Sequence, residues 1–363
     1  MKTKFLKNLV LVPLLLGCSP KAYSVIDYRL TMEFHEDFKI LQLTDLHFGI
    51  ESDLKSQFDF VKDSILEANP DLIILTGDNF MYSSEGTVKS TIKFFNDACN
   101  ELTSKNNRLT KFAMTFGNHD NQGDYHRYFI NETLNKYVTS NGNEVKDNKY
   151  AAYVDYENDN IFGLTNYYID LINPNDKEDV KYRLHIIDSN TYEFQGFKYG
   201  YDHIREDQLK HINNIYQTAT SDKDYIGLAF FHIPFINYKE AMDQFYASNE
   251  DPEIGRGSFK DKSHFPAKDV GSYKEMKKAN IIGYFVGHDH KNYGDLLYKD
   301  ENGDKALFSY GVKSSNQLYH YDEIIGYKTI TLKENITKEQ FLTMEYVNEN
   351  IVNVYKGEDQ YGK

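Results

Sequence analysis

The sequence predicts an α/β fold with helices covering a sheet, and three observations carry that expectation. Apolar runs of strand character end in polar residues at Lys39–Asp45 (KILQLTD), Pro70–Asn79 (PDLIILTGDN) and Lys111–Asp120 (KFAMTFGNHD). Amphipathic stretches around Ser56–Glu67 and Thr87–Leu102 fall between them, and strand alternating with helix at this spacing marks α/β packing. The composition is globular, with 363 residues, 40% hydrophobic, 26% charged, 7 Pro and 22 Gly, enough for a sizeable core. Such folds place their sites at the carboxyl ends of strands, so the polar strand ends are where chemistry is sought first.

The chain opens with MKTKFLKNLVLVPLLLGC, in which Lys2, Lys4 and Lys7 precede a short apolar run from Leu9 to Gly17. That run is too short to span a bilayer and reads as a leader to be set aside from the fold. Its end, Leu15-Leu16-Gly17-Cys18, resembles a bacterial lipobox with Cys18 as the lipidated first residue of the mature chain. The expected organisation is a lipoprotein signal peptide over 1–17, a lipid-anchored tether over 18–36 that runs into the first edge of the domain, one catalytic domain over 37–335, and a C-terminal strand or hairpin with a tail over 336–363. Loss of the leader's three lysines would take the formal charge from −14 to −17. Cys99, in IKFFNDACNEL, would then be the only other cysteine; it reads as a buried helix residue with no disulfide partner.

Beyond Tyr150 the texture changes. KYAAYVDY, IFGLTNYYIDLI and YRLHIIDS are strand-like with little helix between them, so the sheet system continues as mixed or antiparallel strands, with NPNDKEDV as a turn or exposed loop. His203–Tyr216 reads as a helix and Tyr225–Phe235 (YIGLAFFHIPF) as a strand. Ser248–Gly271 is rich in Gly, Asp, Lys and Ser and reads as a long loop, of a length that usually carries function or flexibility. IIGYFV then leads into Gly287-His288-Asp289-His290, and hairpin-like strands follow.

Five strand ends bear the same kind of residues: Asp45-Leu46-His47, Gly77-Asp78-Asn79, Gly117-Asn118-His119-Asp120, His232-Ile233-Pro234 and Gly287-His288-Asp289-His290. Alternate residues of an extended backbone face one side, so His288 and His290 can enter one site while Asp289 points away. His, Asp and Asn without thiolates suit borderline and hard divalent ions such as Mn, Fe, Zn or Mg. Seven such ligands are too many for one tetrahedral zinc and about right for two ions that share a carboxylate. The body is acidic, at −14, which excludes general binding of nucleic acid or anionic headgroups because no counterion release is on offer. Positive charge for a phosphate must come from the centre itself.

These motifs resemble the calcineurin-like metallophosphoesterases, whose pattern is D-x-H, GD, GNH[D/E], a lone H and GHxH. The resemblance covers roughly Phe38–Leu332 and is greatest to the branch related to purple acid phosphatases. It implies a four-layer α/β/β/α sandwich of two mixed sheets. It also implies one ion on Asp45, His47, Asp78 and His290 and a second on Asp78, Asn118, His232 and His288, with Asp78 bridging. Two departures matter. Purple acid phosphatases carry a tyrosine three positions after the GD aspartate, where this chain has Met81, and they lack the histidine that stands here as His47. Neither a phenolate–iron colour nor a ferric preference is therefore expected.

The expected activity is hydrolysis of small phosphomonoesters by a metal-bridging hydroxide, extracytoplasmic and membrane-anchored, on the outward face of a bacterial cell membrane. Two divalent ions, two aspartates and a hydroxide leave the centre at about +1, and paired ions roughly 3.5–4 Å apart activate water and clamp phosphoryl oxygens. His119, adjacent to the ligand Asn118, is the expected general acid. Asn118, His119 and Arg256 are the expected substrate contacts. Arg256 is one of only six arginines and is read either as a bidentate fork on an anion or as a solvated loop charge. Tyr199 and Tyr201 either line a cleft or pack at a rim. The partners expected are a small phosphorylated substrate and a lipid anchor, without nucleic acid; no oligomeric state is read. Competing classes are a phosphodiesterase or nucleotidase on the same metals, and a metal-containing binding lipoprotein without turnover.

The anchor is open to direct test. Two or more acyl chains hold a protein to a membrane far better than one, so Cys18→Ala should move the protein out of its host's membrane fraction. Unchanged partition into detergent would remove the lipoprotein reading.

Overall fold

The computed structural model describes residues 29–49, 54–138, 150–153, 161–194, 196–218, 224–261, 264–315 and 324–354; Cys18 and the leader lie outside the described residues. The chain runs through strand β1 (Arg29–Glu33), β2 (Phe38–Leu43), helix α1 (Leu54–Ala68), β3 (Leu72–Thr76), α2 (Glu85–Asn106) and β4 (Lys111–Thr115). A 3-10 turn (His119–Asn121), α3 (Arg127–Val138), β5 (Asn166–Asn173), β6 (Asp176–Ile187), β7 (Tyr192–Phe194) and β8 (Tyr199–Tyr201) follow. Next come α4 (Glu206–Thr218), β9 (Ile226–Phe230), α5 (Asn237–Ala247), β10 (Gly255–Phe259), α6 (Ser272–Lys278) and β11 (Ile281–Val286). The chain continues through β12 (Asn292–Lys299), β13 (Lys305–Tyr310), β14 (Ile324–Leu332), α7 (Lys338–Phe341) and β15 (Val347–Val354).

The result is an α/β sandwich of two mixed sheets flanked by helices. One sheet has the order β15-β14-β2-β3-β4 and the other β1-β5-β6-β9-β11-β13-β12-β10; β7 and β8 form a separate ribbon. Successive strand residues point to opposite faces, and the central strands of the larger sheet are buried on both. Leu228, Phe230, Phe285 and Leu307 join the core that includes the β2 and β3 residues Ile40 and Leu41, and Leu72 to Leu75. Their neighbours Ala229, Tyr284, Val286 and Phe308 pack instead with Tyr238, Met242 and Phe245 of α5 and with Met276 of α6. On the other flank, Val61 and Ile65 of α1 and Val88, Ile92 and Phe95 of α2 are buried with the smaller sheet. Ser84 starts α2 by accepting from the Thr87 amide at 3.1 Å, a side-chain cap of the usual kind. Cys99 is a free, buried thiol in that helix.

One expectation is corrected. The stretch read as a long loop contains β10, an edge strand paired with β12. Its glycines gave it a loop's composition, yet Gly257 lies opposite Gly294 in the ladder with φ of 111°, and a Cβ there would strike Gly294 Cα and the Tyr293 carbonyl. The glycines permit the close approach of two strands. At the domain's edge, β1 pairs in parallel with β5 from Arg29 to Glu33.

The two sheets are also tied by buried polar groups. Gln42 on β2 donates to the Val286 carbonyl of β11 at 3.1 Å and to Thr76 Oγ1 at 3.0 Å. Lys328 on β14 is 0% exposed and donates to Asp295 on β12 at 2.8 Å and to Ser309 on β13 at 2.6 Å; Glu349 stands 3.0 Å away. Removing one member of such a cluster leaves its partners buried without compensation. Lys328→Met should therefore lower the free energy of unfolding by about 3–5 kcal/mol, the usual cost of breaking a buried pair, read from denaturant midpoints at unchanged slope. A loss below about 1 kcal/mol would mean that the cluster does not hold the sheets together.

Candidate metal centre

The site forms where parallel strands of both sheets end at one edge. β2, β3 and β4 run parallel in one sheet, and β6, β9, β11 and β13 run parallel in the other. The residues following β2, β3 and β4 supply Asp45, His47, Asp78 and Asn118, and those following β9 and β11 supply His232, His288 and His290. The strand-end loops are laced by backbone bonds: the Asp45 amide donates to the Gly77 carbonyl at 3.1 Å, and the His47 amide to the Asp78 carbonyl at 2.9 Å. Asp45, His47, Asp78 and His288 all have left-handed φ, at 56°, 52°, 48° and 77°. Non-glycine residues held there are costly and tend to cluster at functional sites. Gly117 clears space for the cluster, because a Cβ on it would collide with Asp78 Oδ1 and with the His232 ring.

Ligand atoms of Asp45, His47, Asp78 and His290 lie within 4.8 Å of one another, as do those of Asp78, His232 and His288. Asp78 belongs to both groups. Its Oδ2 is 3.1 Å from His232 Nε2 and 3.5 Å from His47 Nε2, while His290 Nε2 is 3.3 Å from Asp45 Oδ1. Each group draws residues from both sheets. Two imidazoles are aimed by their other nitrogen: His47 Nδ1 meets the Asp45 carbonyl at 2.9 Å and His232 Nδ1 the Thr76 carbonyl at 2.9 Å. A bond of this kind fixes the tautomer and presents Nε2 as a ligand. Asn118 donates through Nδ2 to the Tyr192 hydroxyl at 2.9 Å, which turns its Oδ1 the other way.

The residues fit a pair of cations. Asp45 Oδ1, Asn118 Oδ1 and Nε2 of His47, His232 and His288 are buried atoms without a hydrogen-bond partner, an expensive state unless an ion completes it. Burial, then the ammonium of Lys313, pushes the His47 imidazole down to about 3, and burial with the charge of His232 holds His288 well below the usual histidine range. Both are thus neutral, as metal ligands must be. Burial opposes ionisation of Asp78, but His232 and His119 outweigh it and hold the carboxyl low. Burial equally opposes a charge on His232, yet Asp78 raises it to about 9. Without metal, the carboxylates therefore draw a proton onto a ligand. A hard or borderline divalent ion suits this O and N set, and the set does not distinguish among Mn, Fe, Zn and Mg.

His119 is more open than the ligands, with a side chain 21% exposed. Its amide donates to Asp78 Oδ1 at 2.7 Å, and its Nε2 stands 3.9 Å from Asp78 Oδ2. Asp120 holds the turn by accepting from the Gly117 and Phe80 amides, both at 2.7 Å. Asp289 faces away and takes His264 Nδ1 at 2.9 Å. Arg256 requires correction. It lies on β10, where Asp295 at 2.9 Å and the Met344 carbonyl at 2.8 Å occupy the guanidinium, together with the Val347 carbonyl; it is a structural cross-link rather than an anion grip. Two residues at the centre were missed. Lys313, beyond β13, donates to the Asp45 carbonyl at 2.9 Å, and burial lowers its ammonium to about 8 against the pull of Asp45 and Asp78. Its signal was a further strand end in YGVKSS. Tyr192, which holds Asn118, had no signal in the sequence.

The profile of the calcineurin-like phosphoesterases matches residues 38–292. Phosphatase DCR2 of Saccharomyces cerevisiae is 27% identical over 76% of this chain and 47% of its own length. Probable inactive purple acid phosphatase 29 of Arabidopsis thaliana is 26% identical over 73% of this chain and 69% of its own. The chain thus spans about half the length of the yeast relative. Among solved structures, a dimetal phosphatase from Danio rerio aligns with a TM-score of 0.42 and 12% identity, over 83% of this chain and 94% of that one. The matched profile covers most of the chain and includes every strand end of the centre: the chain belongs to the calcineurin-like phosphoesterases.

Proposed function

We propose that this protein hydrolyses phosphomonoesters at a centre of two divalent ions and does so outside the cytoplasm, tethered to a membrane by lipidated Cys18. The observation that carries the catalytic reading is the buried Asp78 carboxylate, shared by two ligand groups in which Asp45 Oδ1 and Nε2 of His47, His232 and His288 lack hydrogen-bond partners. When bound, the ion pair supplies positive charge for phosphoryl oxygens and an activated water. The chain's own residues do the rest. Asp45, His47, Asp78 and His290 would hold one ion, and Asp78, Asn118, His232 and His288 the other. Asp78 would serve both, because one carboxylate can compensate two cations. Ligands drawn from two rigid sheets preset the geometry, which favours the transition state over loosely held ground states. His119, the imidazole of the cluster that reaches solvent, gives a proton from its ring to the departing ester oxygen. The anchor rests on the lipobox alone; among the described residues no helix is long and apolar enough to cross a membrane.

Two substitutions separate the roles. Asp78→Asn should strip both ions, measured as metal per chain, and lower turnover beyond the about 10–100-fold that outer contacts cost. Two ions retained at unchanged rate would refute the shared bridge. His119→Ala should keep both ions and lower turnover of an alkyl phosphate by about 10²–10⁴-fold, the range of a positioned acid. A nitrophenyl phosphate, whose leaving group departs without a proton, should lose much less. Equal losses on both esters would make His119 a donor to the phosphoryl oxygens instead.

A further inference from the structure

Beside the centre stands the two-stranded ribbon of β7 and β8, whose register pairs Tyr192 with Tyr201, Glu193 with Gly200 and Phe194 with Tyr199. Cross-strand partners share a face, and alternate residues return to it, so Tyr192, Tyr201, Phe194 and Tyr199 form one aromatic strip. Its inner pair is stacked, with centroids 5.4 Å apart. This pair is built onto the residues that would hold the second ion: the Tyr192 hydroxyl takes Asn118 Nδ2 at 2.9 Å, and the Tyr201 ring stands edge-on to His288 at 4.4 Å. The outer pair, Phe194 and Tyr199, is 5.5 Å apart and 62% and 72% exposed. Glu193, on the opposite face, lies 3.5 Å from His203 Nδ1.

Single exposed apolar residues need no explanation, but a contiguous patch beside a polar site marks a surface that meets a ligand or partner. Here the patch begins at two candidate metal ligands and runs outward. Two residues of strand advance roughly 7 Å, so the outer pair lies about one ring's length beyond the inner pair. We propose that this strip is the leaving-group subsite of the centre and selects phosphoric esters whose leaving group carries a planar aromatic ring. The inference rests on the hydrolysis proposed above. A phosphoryl group fixed between Asn118 and His288 has the rest of its ester beside the inner tyrosines, and a ring farther along stacks on Phe194 and Tyr199. Ring stacking tolerates many ring identities, so the strip sets a class of substrate and not a single one.

The test compares 2-phenylethyl phosphate with ethyl phosphate, whose alcohols need a proton equally and differ by a distal ring. The native protein should prefer the phenyl ester in kcat/KM, and Phe194→Ser/Tyr199→Ser should reduce that preference about tenfold, the usual worth of a stacked ring, with metal content unchanged. The rescue variant Phe194→Tyr/Tyr199→Phe should restore it. Calorimetric binding of 2-phenylethylphosphonate against ethylphosphonate reads the same preference without turnover. Ring-dependent phosphonate binding by a chain that hydrolyses nothing would sustain the strip and sink the hydrolysis. Hydrolysis with no ring preference, or with a preference unmoved by the double serine variant, overturns the strip. So would a dimer in sedimentation that the variant dissociates at unchanged ring preference, which would make the face a contact between copies.

Discussion

The carboxylate of Asp78 sits where the demands of the fold and of the centre meet. It is buried, follows the interior strand β3 of its sheet, and divides its oxygens between two tasks. Oδ1 accepts the His119 amide at 2.7 Å, which fixes the turn that carries the candidate acid. Oδ2 faces His232 and His47 at 3.1 and 3.5 Å, one from each ligand group. An ionised carboxylate in this position would be intolerable in an apolar core. It persists because histidine charge offsets its burial, and a pair of cations would do so more completely. The centre is thus a defect in the hydrophobic core that metal repairs, so metal occupancy should be linked to folding as well as to rate.

The geometry around that carboxylate depends on backbone that is strained by choice of residue. Asp45, His47 and Asp78 occupy left-handed φ within two adjoining strand-end loops, and the Asp45 and His47 amides donate across to the Gly77 and Asp78 carbonyls. Each strained residue costs of order 1–3 kcal/mol, and the parallel strands beneath leave no cheaper path. Lys313 and Ser315 add to the lacing by donating to the Asp45 carbonyl at 2.9 and 3.1 Å. Burial keeps the His47 imidazole neutral, and Lys313 adds a cation beside it that acts in the same direction. A positive group inside an acidic body therefore serves the ligand shell before it meets any substrate.

Much of this was legible because sheet physics leaves a mark on sequence. An apolar run ended by Asp, Asn or His is recognisable wherever it falls, and strands aligned in parallel bring such ends to one edge without further information. That is why Asp45, Asp78, Asn118, His232 and the two histidines of GHDH could be grouped before any coordinates existed. The signal fails where placement depends on pairing rather than pattern. Arg256 reads as a loop residue because glycine enrichment means a flexible loop in most contexts, and only the facing Gly294 makes it a strand. Lys313 ends a strand but is not a conventional ligand type, so motif reasoning passed over it. Tyr192 lies seventy-four residues from Asn118, and no local pattern encodes that contact. The edge strand β1, RLTME, has one buried position and hardly any periodicity, so its bounds leave no mark in the sequence.

Drawing each ion's ligands from both sheets carries a consequence for the core. A hydrophobic interface is non-directional, and two sheets packed only by Leu, Ile and Phe can slide by a fraction of a side chain at little cost. A metal ligand moved by that amount is lost, since ligand distances tolerate only about 0.2 Å. The buried polar links between the sheets answer this mismatch. Gln42 joins β2 to β11 directly beneath the strand ends that bear Asp45 and His288, and the Thr44 amide donates to the Ser314 hydroxyl at 3.1 Å. Lys328 binds β14 to β12 and β13 farther along. Apolar residues of the same volume could pack those positions as tightly, and such swaps are often neutral or stabilising. Hydrogen bonds that are correct in only one register supply what packing cannot, which is the alignment on which a centre divided between two sheets depends.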